Sequence, residues 1–227
     1  EDTSSPNDTV SRNVDLNAFE FGVSQRLSSH YTLFTKLGQS YRVPNADDNE
    51  PFSRPFADSF INPQRAKEIE FGVNRITDSN RQTVRFFYAK LKDEIIAAPF
   101  DFGGFVGIAN VNLDKTERLG VEVEHFADLT DTLELRAAYT YLDASIESGP
   151  LDNVRVPLVP SHRAQLGVNY ALSDSAHVDF LLSAQSNQRI GGDLTTPQGV
   201  GQIPGFAVAD LAFHRTFGRA KVSLAIN

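Results

Sequence analysis

Apolar and polar side chains alternate with a period of two along most of the 227-residue chain. That is the pattern of strands with one dry face and one wet face. Ala164, Leu166, Val168 and Tyr170 fall on one side of their segment, with Arg163, Gln165, Gly167 and Asn169 on the other. Leu133, Leu135, Ala137, Tyr139 and Tyr141 likewise oppose Glu134, Arg136, Ala138 and Thr140, and Ile69, Phe71 and Val73 oppose Glu68, Glu70, Gly72 and Asn74. Read throughout, the alternation predicts ten strands near 16–25, 30–41, 67–76, 82–94, 117–127, 132–145, 161–172, 176–187, 205–214 and 219–227. In the fourth, Phe86, Phe87 and Tyr88 are consecutive, so its facing is ambiguous. Short polar links follow every second strand, and long irregular links at 42–67, 95–117, 145–161 and 187–205 follow the others and hold most of the eleven prolines. The expected topology is an antiparallel up-and-down meander with tight turns at one end and long loops at the other.

Strand length separates the all-β classes. Soluble sandwiches use strands of about five or six residues and cover the apolar face with a second sheet. Most strands here run about ten residues or more, with dry faces rich in Leu, Val, Phe and Tyr, as in transmembrane barrels. In hydrocarbon every backbone N–H and C=O needs a partner, which a closed sheet provides. The wet face would then line a lumen, where Glu20, Glu68, Glu70, Glu122, Glu124, Glu134, Arg136, Arg163 and Lys221 fall. No run of 18 apolar residues offers a membrane-spanning helix. Cysteine is absent, which excludes disulfides and thiolate metal sites. The net charge of −8 argues against a nucleic-acid partner. With Glu1 first and no Met or Trp, the chain reads as a segment of something longer.

Several stretches resemble the barrel of TonB-dependent outer-membrane receptors. They are Ser40-Tyr41-Arg42-Val43-Pro44-Asn45, Asn62 through Val73 (NPQRAKEIEFGV), Phe86 through Ile95 (FFYAKLKDEI) and Asn110 through Glu124 (NVNLDKTERLGVEVE). The likeness continues in Leu135 through Ala144 (LRAAYTYLDA), Val156 through Tyr170 (VPLVPSHRAQLGVNY) and Ile203 through His214 (IPGFAVADLAFH). The family's barrel has 22 strands around an N-terminal plug. The resemblance covers only the C-terminal part of that barrel, with no plug, no TonB-contacting segment and no closing C-terminal strand. It implies residence in the bacterial outer membrane, contact with outer-membrane lipid, energy from the TonB complex through a plug, and import of a scarce nutrient complex. A ferric siderophore is the foremost such ligand; haem, cobalamin, nickel chelates and saccharides are the minority. It implies no resident cofactor and no bond chemistry.

The 42–67 link is the best ligand-contact candidate, because Arg42, Arg54 and Arg65 could meet an anionic chelate while Phe52, Phe56 and Phe60 stack on it, with Asn45 beside them. Packing of the same rings onto neighbouring loops is the blander reading. Asp47-Asp48-Asn49-Glu50 lacks the spacing of a calcium loop and reads as a solvated acidic tip. Glu68, Glu70, Glu122 and Glu124, with Arg136 and Arg163, are expected to face the lumen and contact a plug. His30, His125, His162, His177 and His214 show no metal-site spacing and are expected to be scattered polar residues near strand ends. Tyr31 and Tyr141 suit interfacial girdles at opposite ends. Asp101-Phe102-Gly103 has no accompanying kinase motif, and no nucleophile–base pair is evident, so no enzyme is expected. The rival readings are a soluble β-sandwich or lectin-like module, and an outer-membrane enzyme barrel that would need a Ser/His/acid cluster.

Overall fold

A computed structural model describes residues 12–45, 48, 61–101, 106–190 and 201–227. Ten strands form one antiparallel sheet: β1 (Phe19–Arg26), β2 (Tyr31–Arg42), β3 (Gln64–Ile76), β4 (Asn80–Asp101), β5 (Val106–Thr130), β6 (Leu133–Ile146), β7 (His162–Ser173), β8 (Ala176–Gln185), β11 (Phe206–Phe217) and β12 (Ala220–Ile226). Each pairs with its predecessor in the chain, except that β11 pairs with β8 across a small two-stranded hairpin of β9 (Gln188–Arg189) and β10 (Gln202–Ile203). The expected meander is therefore present, and among the described residues β1 and β12 are open edges. No second large sheet covers the dry face among the described residues, so the sandwich alternative fails.

Two expectations need correction. The 95–117 stretch is not an irregular loop. β4 and β5 continue as a paired hairpin from Glu94↔Leu113 out to Asp101↔Val106. Pairing skips Asp93, which takes a left-handed φ of 56°. That kink lets Glu94 turn to the same side as Thr116 and Arg118, so the hairpin resumes with its facing inverted. The second correction concerns length at the tight-turn end: β5 runs to Thr130, β7 to Ser173 and β11 to Phe217, past the expected 127, 172 and 214, so links of two residues join them to the next strands; Gly218, with φ 59°, supplies the left-handed position between β11 and β12.

Register defines both faces. Val23, Thr35, Phe71, Phe86, Val121, Tyr141 and His162 form one continuous cross-strand row from β1 to β7. The row starts in the middle of β1 and ends at the loop end of β7, the stagger that a tilted, barrel-forming sheet requires. Phe86 and Tyr88 lie on the outward face with Ile69 and Phe71, while Phe87 turns inward. This resolves the ambiguous strand. Outward Tyr41, Tyr139 and Tyr141 near the loop end and Tyr31 and Tyr170 near the turn end are all exposed, as two interfacial girdles would be.

Little of the sheet is buried within the chain. The compact core sits at the loop end of the inward face, where Leu113, Ala144, Ile146, Leu151, Val154 and Val156 pack together beneath the 147–161 connection. Two glycines serve close approach instead of turn geometry. Phe34 stands opposite Gly72 and Phe87 opposite Gly120, each ring laid over the bare backbone of its neighbour. A Cβ at Gly72 would collide with the Phe34 ring and lie 2.6 Å from the Val84 carbonyl oxygen; one at Gly120 would collide with the Phe87 ring and lie 2.6 Å from the Tyr141 carbonyl oxygen. Gly72→Ala and Gly120→Ala are each expected to cost about 1–3 kcal/mol through forced ring and backbone shifts. Urea unfolding in detergent would measure this, and Phe34→Ala should recover part of the Gly72→Ala loss.

Candidate functional site

The inward face of β1–β5 carries an alternating row of charges, which the register assembles. Lys36 stands opposite Gly22 on one side and Glu70 on the other, and the small neighbours Gly22 and Gly38 leave its ammonium room to reach across. Its Nζ lies 3.5 Å from Glu20, 3.3 Å from Glu68 and 3.2 Å from Glu70. Arg85 continues the row, 3.6 Å from Glu70 and donating a hydrogen bond to Glu122. These pairs are partly buried but still reached by solvent, and solvent-screened pairs contribute only about 0–1 kcal/mol each. Their effect is to fix the side chains that shape the wall. Glu68, Glu70 and Glu122 thus lie on this inward face already paired with Lys36 and Arg85. Glu124 has no ion-pair partner among the described residues.

Further round the sheet, the same face forms a recess of about 720 Å³ lined by Arg81, Thr83, Glu124, Arg136, Gln165 and Asp179. Arg136 lies 5.5 Å over the Phe126 ring and 3.4 Å from Glu134. Arg163 lines a second recess of about 440 Å³ with Thr140, Gln185 and Phe206.

At the loop end, polar clusters hold the extensions in place. Arg42 donates to both carboxylate oxygens of Asp48, at 2.9 and 3.0 Å, and Asp48 is buried. The backbone N–H of Asn45 donates to Asp48 at 3.0 Å, and the Asn45 side chain accepts from the Asp48 N–H at 2.7 Å. Asp48 is therefore not part of a solvated acidic tip: its carboxylate anchors the loop to the end of β2. Asp47, Asn49 and Glu50 lie outside the described residues, as do Phe52, Arg54, Phe56 and Phe60. Arg65 is not in a loop; it lies in β3, between Tyr41 and Lys92 on the outward face. Nearby, Arg118 grips Glu94 through both guanidinium nitrogens, at 2.6 and 3.2 Å, and Thr116 donates to the same carboxylate at 2.5 Å. Asn112 donates to the backbone carbonyls of Asn62 and Asp93, tying the entry to β3 to the kinked hairpin.

Three of the histidines stand apart from one another, and two are neighbours. His30 bonds to Ser29, His125 to Gln82, and His162 sits between Tyr139 and Tyr141. His177 and His214, 37 positions apart (214 − 177), are direct cross-strand partners. Their rings stack at 4.8 Å, and Asp179 shares their inward face. Nothing in the linear spacing exposes this group, because the register of β8 against β11 creates it.

Residues 2–227 match a family model described as TonB dependent receptor-like, beta-barrel. No curated protein matches the sequence. Among solved structures, the chain is similar to a protein titled copper transporter OprC at 20% identity and a TM-score of 0.72, over 90% of this chain and 32% of that one. It is similar to the ferric-catecholate import receptor Fiu from E. coli K12 at 20% identity and a TM-score of 0.68, over 91% and 29%. It is also similar to the ferric enterobactin receptor PfeA from Pseudomonas aeruginosa at 14% identity and a TM-score of 0.69, over 92% and 34%. The chain thus spans about a third of the length of these structures.

Proposed function

The chain belongs to the TonB-dependent receptor family through its β-barrel domain, and on that premise we propose that it forms an arc of the wall of a bacterial outer-membrane importer for ferric siderophores. The observation that carries this reading is the two-faced, staggered sheet. An uncovered apolar face with aromatic rows at both ends suits lipid, and the opposite face, lined with paired charges, suits a watery lumen. The short turns then face the periplasm and the long loops face outside.

Cationic residues agree with that orientation. Above the row of Leu37, Ile69, Tyr88 and Leu119, the outward face carries Arg65 opposite Lys92 and Lys92 opposite Lys115, with Lys67 opposite Lys90 one position nearer the row. Like charges set directly opposite are unfavourable unless an anion lies between them, and among the described residues Glu117, 2.7 Å from Lys90, is the one acid paired into this group. An anionic headgroup layer at this height supplies the rest. Arg65 therefore faces lipid headgroups in this reading. Ligand contact falls to Phe52, Arg54, Phe56 and Phe60, with Arg42 and Asn45 setting the loop through Asp48.

The chemistry asked of this wall is passage, not bond making. Loop cations and rings capture the chelate, the wall gives it a route, and the TonB complex supplies work through a plug. The siderophore assignment is supported by neighbours titled ferric-catecholate, ferric enterobactin, ferric citrate and ferric yersiniabactin receptors or transporters. The neighbour titled copper transporter favours a metal-ion cargo as the second reading. Iron-starved cells should lose uptake of radiolabelled ferric siderophore when the gene is deleted, and again when TonB is removed from complemented cells. Unchanged uptake across a siderophore panel would remove the iron assignment, and copper uptake measured in the same strains would then decide the second reading.

A further inference from the structure

We propose that His177, Asp179 and His214 form a binding site for a divalent transition-metal ion on the inward wall, at its tight-turn end. The two Nε2 atoms lie 3.5 and 3.3 Å from Asp179 Oδ2, and all three donor atoms fall within 4.8 Å of one another. A tetrahedral zinc ion with ligands near 2.1 Å needs donors about 3.4 Å apart, so two of the three edges already have that length. His177 stands next to the start of β8, and metal binding would require its ring to turn to shorten the third edge.

Both inner ligands are held from behind. Asn169 donates to Asp179 Oδ1 at 2.6 Å, leaving Oδ2 for the metal. Ser223 lies 2.8 Å from His214 Nδ1; with the proton on Nδ1 and donated to the serine, Nε2 keeps its lone pair toward the cluster. Such outer contacts fix tautomer and ring direction at metal sites. Two imidazoles with one carboxylate select zinc, copper(II) or nickel(II) over calcium or magnesium, which prefer oxygen-only shells. Three protein ligands leave a fourth position open toward the lumen, where water or a passing donor group can enter.

The site depends on the barrel reading only for its location, and metal binding is measured without transport. The protein extracted from outer membranes in detergent and stripped with chelator is titrated with zinc sulfate by calorimetry. Copper(II) loading followed by electron paramagnetic resonance then counts coordinated imidazole nitrogens. The expected result is one saturable zinc site whose affinity falls at least about tenfold in His177→Gln, Asp179→Asn and His214→Gln, and less in Ser223→Ala, with two-nitrogen hyperfine structure for copper. His125→Gln, remote from the cluster, should leave binding unchanged. Because all three ligands are solvent-accessible on the wet face, the variants keep heat-modifiable gel mobility, which checks folding independently. Absence of a saturable site, or full zinc affinity in the folded His177→Gln/His214→Gln double variant, would overturn the assignment. Unchanged siderophore uptake on deletion of the gene, with zinc binding intact in the isolated protein, would count against the transport reading alone.

Discussion

In plain buffer the 227-residue chain is expected to aggregate, and in detergent micelles to disperse. The outward face leaves Phe19, Phe21, Phe71, Phe86, Leu119 and Leu224 more than half exposed. Burying a large apolar side chain is worth about 1.5–3 kcal/mol, so a contiguous face of them finds a partner in lipid, in detergent or in another copy. The backbone adds to this, because β1 and β12 each present an unpaired edge. Light scattering behind a size-exclusion column, run with and without detergent, separates the outcomes. A monodisperse monomer in plain buffer would mean that the apolar face is covered in some way the sheet topology does not provide.

The second large effect is expected at Glu94. Its carboxylate is buried, held by both guanidinium nitrogens of Arg118 and by Thr116. Glu94→Ala leaves the largely buried guanidinium of Arg118 without its partner, and breaking a buried pair costs about 3–5 kcal/mol. Replacing both partners, Glu94→Ala with Arg118→Leu, removes the stranded charge and should recover a good part of the loss. The exposed Glu134–Arg136 pair is the comparison, since cutting it should cost about 1 kcal/mol or less. Unfolding midpoints in detergent for Glu94→Ala, the Glu94→Ala/Arg118→Leu double variant and Glu134→Ala test the idea. If Glu94→Ala costs no more than Glu134→Ala, the cluster does not hold the hairpin. The position also matters for the hairpin, because Glu94 lies immediately after the Asp93 kink, where β4 and β5 run on past their pairing with β3 and β6.

Much of the architecture was legible because side-chain direction in a strand alternates with period two, whatever the rest of the fold does. Ile69, Phe71 and Val73 were bound to share a face in any strand containing them, and the alternation of short and long links implied an up-and-down order. The β4–β5 extension was hidden for a local reason: Pro99 and the glycines at 103 and 104 look like loop residues, yet residues 94–101 pair across the hairpin with 106–113. The consecutive aromatics Phe86, Phe87 and Tyr88 could not assign their own faces; Gly120, the residue opposite Phe87, did so by offering the inward ring a place to lie.

By itself the sequence determined the class of sheet, the identity of its dry and wet faces and the ends at which the loops gather, since these depend on neighbours one or two residues apart. Tertiary structure alone decided which wet residues meet. Lys36 reaches three glutamates, Asp48 anchors Arg42, and His177 finds His214, because antiparallel register brings together groups that lie far apart along the chain. A one-residue slip of any strand would keep the alternation and turn its faces over. The chemistry of the lumen wall therefore resides in the register, which no single strand encodes.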